Sequence, residues 1–480
     1  MASPQHVLSD KGGRELWQLS ASELGAEFAA RRASPVDALA ACLARIDAVN
    51  ARLNAIVTLD VDGAQGAALA SEARWRRGAP HGPLDGIPLT IKDNMVVRAM
   101  RSTWGSKLYA DYLPPHDELP VARLRAAGAV IVGKTNVPEF TLQGYTDNLL
   151  FGPTRNPWNP RLTPGGSSGG AAASVAAGMT PLAVATDGGG SIRRPASHTG
   201  LLGFKPSTGR VARRDGFPQI LHDFEVVGPI ARTTSDAVLV TSIIAGPDAH
   251  DQTSCAFGAF SCDLSSVLER QRILYIARFR DAPVDSEVAT RVAETARNLE
   301  RLGHAIESGE VPFDVAALNR VWPAIGESGL AWLLRRHGEW RSQVSPSIAA
   351  MGESGGGRMA VDYVESLDVV AGLRRRLAEV FTRFDLILTP SAAALPWPAE
   401  HSHPETIDCM PVGPRGHAVF TGFANAAGVP GVNIPCMPSR GGLPIGAQLV
   451  GRYGADALLL QVAAEYERNY PWADRWPKID

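Results

Sequence analysis

The stretch Thr163–Gly200, TPGGSSGGAAASVAAGMTPLAVATDGGGSIRRPASHTG, holds two glycine-rich, serine-bearing turns separated by an alanine-rich run and a short apolar segment. In the first turn, Gly165–Gly170, Ser167 or Ser168 is placed to cap a helix that runs to Ala177 and that Gly178 ends. The second turn, Asp187–Ser191, follows Pro181–Thr186, which reads as a buried strand. Three consecutive glycines before a serine do not serve packing. Lacking Cβ atoms, they let successive amide hydrogens converge on one point as an anion-binding nest. Acyl transfer needs such fixed donors beside its nucleophile, because the carbonyl oxygen becomes negative in the transition state and each donor is worth about 3–4 kcal/mol. Ser191 is therefore the first candidate nucleophile. A flexible Gly/Ser loop and a phosphate-binding loop are the competing readings, and neither turn carries the Gly-Lys-Ser/Thr ending of a nucleotide loop.

Outward from this stretch, helix-then-strand units recur. The helical pattern from Pro120 ends at Gly128 and is followed by the unbroken apolar run Ala129–Val132, as the alanine-rich run is followed by Pro181–Thr186. That alternation predicts an α/β fold: a large, mixed, mostly parallel β-sheet core covered by α-helices on both faces. Residues 1–80 read as an N-terminal helical layer, with Ser34 capping a helix that has Pro35 at its first position. Residues 81–313 and 366–480 read as two parts of one α/β core. The intervening residues 314–365 carry Trp322, Trp332, Trp340 and the run GESGGGRM, and read as a helical cap insertion with a mobile glycine-rich loop.

Two lysines end strands. Lys92 closes HGPLDGIPLTIK, and Lys134 follows Ala129–Val132. Buried beside hydroxyls, either would lose solvation, favour its neutral form and serve as a base near neutral pH. A snorkelling lysine, or one paired with Asp93, is the plainer alternative for Lys92. The aperiodic, aromatic- and amide-rich loop from Phe140, with Gln143, Gly144 and Tyr145, is of the kind that lines a pocket, and Trp322 is a further candidate wall.

The 480 residues have a formal net charge of −2, 45% hydrophobic and 20% charged content, which describes a globular protein without electrostatic bias toward nucleic acid. Cysteines 42, 255, 262, 409 and 436 form no ligand pair or disulfide framework, and the histidines show no metal-ligand spacing. No metal or cofactor is expected, and the location expected is cytoplasmic. The N-terminal MASPQHVLSDKGGRELW lacks a basic start and an apolar core, so no signal peptide is expected, and no window is apolar and long enough for a bilayer partner.

With GIPLTIKD, GKTNVPEF, FGPTRNPWNP, TPGGSSGG, TDGGGSIRRPA and GLPIGAQLVG together, the chain resembles the amidase signature family over nearly its whole length. The resemblance implies a Ser-cisSer-Lys triad: nucleophile Ser191, bridging Ser167 after a cis peptide, and base Lys92 rather than Lys134. It implies an oxyanion hole from the main-chain amides of Gly188, Gly189, Gly190 and Ser191, with Ser168, Asp187 and Arg193 supporting the loop. Many members carry Thr, Ile or Gln where this chain has Gly188, which suggests extra room near the scissile bond.

Within such a family, the substrate expected is a small amide or carbamate, with the protein a monomer or homodimer. The Phe140–Tyr145 loop and the tryptophans of residues 314–365 favour aryl amides, anilides or urethanes, the work of an aryl acylamidase or urethanase. The alternatives are a general aliphatic amidase and the glutamine-hydrolysing A subunit of a tRNA-dependent amidotransferase. The latter usually carries a segment like SSLDQIGP where this chain reads His222-Asp223-Phe224-Glu225-Val226-Val227-Gly228-Pro229. A catalytically dead scaffold is a reading from another class, and the intact triad positions weigh against it.

Overall fold

The computed structural model describes residues 13–479; most of the N-terminal stretch tested above for a signal peptide lies outside them. In chain order the strands are β1 (Ile56–Leu59), β2 (Pro88–Lys92), β3 (Val130–Thr135), β4 (Leu182–Asp187), β5 (Leu202–Lys205), β6 (Val226–Ala231), β7 (Arg272–Tyr275), β8 (Ala305–Ser308) and β9 (Leu386–Pro390). They are followed by β10 (Thr406–Ile407), β11 (Met410–Pro411), β12 (Gly431–Pro435) and β13 (Gly446–Gly451). Strands β10 and β11 form a separate ribbon; the others form one sheet in the order β1-β3-β2-β4-β6-β5-β12-β13-β9-β7-β8.

The sheet is mixed, but mostly antiparallel rather than mostly parallel. Among the described residues, β3–β2, β2–β4, β9–β7 and β7–β8 are the parallel neighbours. The pairs β1–β3, β4–β6, β6–β5, β5–β12, β12–β13 and β13–β9 run antiparallel. The expectation failed because an unbroken apolar strand reports cover on both faces and says nothing about direction. Strand β6 is also concealed by Gly228 and Pro229 in its interior, residues that argue against a strand in sequence.

Helices flank the sheet. Ser34 caps Pro35–Leu53 through a reciprocal pair in which Ser34 Oγ accepts from the Asp37 amide and the Asp37 carboxylate accepts from the Ser34 amide. The helix Gly169–Ala176 is wholly buried, its small side chains letting it lie close to β4. Ser168 sits at its N-cap position without a side-chain capping bond. No helix among the described residues is long and apolar enough to cross a membrane.

Between β8 and β9 lie the helices Val315–Trp322, Ser328–Leu334, Pro346–Gly356 and Ala360–Arg383. The glycine-rich run expected as a mobile loop is instead mostly helical, forming the end of Pro346–Gly356. Its glycines permit close packing: a Cβ on Gly355 would fall 1.9 Å from the Glu327 carbonyl oxygen. The following helix runs over Ala360–Arg383, so it begins before the core part expected to start at residue 366.

Candidate active site

Strand β2 runs between β3 and β4, so its last residue, Lys92, emerges beside Thr186 at the end of β4. The Lys92 ammonium nitrogen, Nζ, is 2.8 Å from Ser167 Oγ, 2.9 Å from Thr186 Oγ1 and 3.1 Å from the Thr186 carbonyl oxygen. Burial pushes its pKa down to about 7, against the opposing pull of the Glu225 and Asp187 charges. The Gly166–Ser167 peptide bond is cis. Ser168 turns away, donating from Oγ to the Thr186 carbonyl at 3.1 Å, while its amide donates to the Ser191 carbonyl at 3.2 Å. That main-chain bond ties the two serine turns together.

Lys134 is also buried but serves a different set of groups. Its Nζ donates to Asp93 Oδ1 at 3.1 Å, Ser102 Oγ at 2.7 Å and the Met95 carbonyl at 2.7 Å. The Asp93 pairing weighed for Lys92 thus belongs to Lys134.

The second turn is built on Asp187. Its carboxylate accepts from the amides of Gly190 at 2.6 Å and Ile192 at 3.0 Å, from Arg193 Nε at 3.0 Å and from Arg193 Nη2 at 2.9 Å. Burial alone would raise its pKa, but the Arg193 charge and hydrogen bonds hold the carboxyl well below the usual range. Because Asp187 takes the Gly190 amide, that donor is not available to the cavity. The amides of Gly188, Gly189 and Ser191 have no acceptor among the described residues. Gly190 has φ +114°, a conformation that favours glycine.

Ser191 opens on a cavity of about 440 Å³, and its hydroxyl has no hydrogen-bond partner among the described residues. Gln143, Gly144, Tyr145 and Trp322 line this cavity, as do Gly188 and Gly189. Phe140 does not: it is buried in the core, edge-on to Trp104 at 5.4 Å. The extra room suggested by Gly188 is also not open space. A Cβ there would meet Leu221 Cδ1 at 2.6 Å, so Leu221 fills the position.

Leu142 lines the cavity from within the loop expected to do so, but the sequence did not place Leu221, Met351, Arg415 or His417 on the wall. Arg415 and His417 belong to an irregular connector whose only local signals are turn formers, and nothing in its pattern points to a pocket. Arg194 also lines the cavity and donates to the Gly189 carbonyl and to Thr421 Oγ1.

A family model described as Amidase matches residues 37–460. The chain belongs to the amidase signature family, whose members hydrolyse C–N bonds other than peptide bonds. It is 34% identical to the A subunit of the glutamyl-tRNA(Gln) amidotransferase of Moorella thermoacetica, over 97% of this chain and 99% of that protein. Among solved structures it resembles a bacterial aryl acylamidase of the family, with a TM-score of 0.87 and 29% identity over 95% of this chain and 97% of the other. The A subunit of the Thermotoga maritima glutamyl-tRNA(Gln) amidotransferase superposes with a TM-score of 0.79 and 27% identity, over 97% of this chain and 99% of the other.

Proposed function

We propose that the chain hydrolyses its substrate through an acyl-enzyme on Ser191, with Lys92 as base and Ser167 as proton relay. The observation that carries this reading is the buried Lys92 Nζ, 2.8 Å from Ser167 Oγ and shifted toward neutrality. Neutral Lys92 takes the Ser167 proton as Ser167 takes that of Ser191, and Ser191 Oγ attacks the carbonyl carbon. The amides of Gly188, Gly189 and Ser191 hold the oxyanion. Ser167 then returns a proton to the departing nitrogen, replenished from Lys92, so that an amine leaves rather than an amide anion. Water attacks the ester by the same relay, and the acid and free Ser191 result. The contact between Ser191 and Ser167 forms when substrate seats, since catalytic hydrogen bonds commonly tighten in the Michaelis complex.

For the substrate, the near full-length likeness to the A subunit of the amidotransferase supports glutamine hydrolysis as the first finer reading. A second reading, an aryl amide, anilide or urethane, is favoured by the cavity wall. Leu142, Tyr145, Leu221, Trp322 and Met351 offer apolar surface, and Glu327, the sole acid among the described lining residues, is already held by Arg358 and Ser354. An α-ammonium group therefore has no free carboxylate to meet there.

A hydrolysis panel on the purified chain separates these readings: L-glutamine, p-nitroacetanilide, a matched aryl carbamate and a short aliphatic amide. Turnover of glutamine that depends on a partner protein supports the first, and turnover of the anilide by the chain alone supports the second. Labelling by a serine-directed fluorophosphonate that persists in Ser191→Ala would sink the mechanism.

A further inference from the structure

The cavity that receives Ser191 carries positive charge without a matching anion. Arg415 lines it, exposed to the void, and makes no side-chain hydrogen bond or ion pair with any described residue. Its guanidinium carbon stands 5.8 Å from the centroid of the Trp322 ring, which orients the group without neutralising it. Arg194 is the second cation, and its hydrogen-bond acceptors are all neutral: the Gly189 and Gly166 carbonyls and Thr421 Oγ1. Glu327 is already engaged by Arg358.

His417 adds a neutral donor. It is 1% exposed, it lines the same cavity, and neither ring nitrogen has a hydrogen-bond partner among the described residues. Burial, with the nearby Arg194 charge, holds its pKa well below the usual histidine value, so the ring is uncharged at neutral pH. An unsatisfied buried imidazole costs stability unless a ligand completes it. Three other buried cations do have anions: Arg193 pairs with Asp187, Arg213 with Glu118 and Glu225, and Lys134 with Asp93.

We infer that Arg415, with His417 beside it, binds a carboxylate carried by the substrate, so that the chain acts on amides bearing a free carboxylate group. A guanidinium presents paired donors that match the two oxygens of a carboxylate, and a partly enclosed wall strengthens the bond. This inference rests on the amidohydrolase reading and names its substrate class. The shared chemistry covers two sources, the α-carboxylate of glutamine and a carboxylated acyl or aryl group, and the test separates them.

Two matched pairs of p-nitroanilides and amides serve as probes: monosuccinyl-p-nitroanilide against butyryl-p-nitroanilide, and L-glutamine against L-glutamine methyl ester. Steady-state kcat/KM is measured for the wild type and for Arg415→Gln. In parallel, calorimetry measures the affinity of the Ser191→Ala protein, with and without Arg415→Gln, for succinamate, L-glutamine and the neutral butyramide. The expected result is a preference for the anionic member of at least one pair of about tenfold to a hundredfold. Arg415→Gln should abolish that preference by raising KM for the anionic member more than for the neutral one, with fluorophosphonate labelling of Ser191 checking that the variant is folded. Preference in the succinyl pair alone points to a carboxylated acyl group, and in the glutamine pair alone to an amino-acid amide. Equal binding and turnover of charged and neutral members, or a preference that survives Arg415→Gln, overturns the inference. Absence of turnover and of labelling together overturns the amidohydrolase reading instead, and the calorimetric arm then still decides whether the carboxylate is bound.

Discussion

Lys92 Nζ donates to Ser167 Oγ at 2.8 Å from a wholly buried position, and no carboxylate of the described residues forms an ion pair with it. Lys134, on the adjacent strand and equally buried, pairs with Asp93 instead. Burial lowers the pKa of both lysines, but at Lys134 the adjacent Asp93 charge and its hydrogen bond oppose the shift, whereas Lys92 faces hydroxyls and a carbonyl. That difference in partners favours Lys92 over Lys134 as the base of the proposed mechanism.

The pH profile of kcat/KM should therefore rise through an acid limb near pH 7, where Lys92 loses its proton, and then level off. Lys92→Ala should lower kcat by at least about 10²–10⁴-fold and remove that limb. A limb that stays near pH 7 in the variant would assign it to another group.

Stability carries the same signature. The folded pKa of Lys92 lies near 7, below its ordinary 10.5, so between those values the native state binds fewer protons than the unfolded chain. Stability contributed by this group then rises with pH across about pH 7–10.5, and the burial penalty is fully present below pH 7. Lys92→Met lacks the penalty, so its urea midpoint relative to wild type should be higher at pH 7 than at pH 10. Parallel pH curves for the two proteins would contradict the burial argument.

Asp187→Asn should cost about 3–5 kcal/mol in urea denaturation, because it leaves the fully buried Arg193 guanidinium without its anion. It should also lower kcat, since Asp187 fixes the Gly190 and Ile192 amides that shape the turn. The wild-type pairing is present above the ordinary carboxylate range and fades as pH falls toward the depressed folded pKa. A variant with native stability would show that Arg193 is satisfied by Asn425, Gln448 and the Thr421 carbonyl alone.

Legibility in the sequence followed the locality of each signal. Ser34 and Pro35, or the run ending at Lys92, carry their geometry in a few adjacent residues, and the structure has a helix and a strand there. The two glycine turns were visible because such composition has few structural uses. Strand direction was not legible, because β4 and β6 meet through residues distant in sequence and either direction buries the same apolar faces. The cavity wall was read only in part. Gln143 to Tyr145 sit in one loop, while Leu221, Met351 and the Arg415–His417 connector converge from distant parts of the chain, and only the folded sheet and helices bring them together.

The contact between Gly188 and Leu221 gives a test of how the cavity is shaped. Each residue fills the place the other leaves: a methyl group on Gly188 would lie 2.6 Å from Leu221 Cδ1, so Gly188→Ala must turn that side chain aside. Overpacking of this kind costs about 1–3 kcal/mol, and here the displaced side chain moves on the wall beside the nucleophile, so kcat/KM should fall as well. Leu221→Ala alone removes packing and enlarges the cavity. In the double variant the methyl group has room, so the Gly188→Ala penalty should shrink by at least about 1 kcal/mol relative to its value with Leu221 present. Urea denaturation and kcat/KM on the same four proteins close the cycle. Additive penalties would mean that Leu221 is free to move, and that the cavity is bounded near Gly188 by something other than this contact.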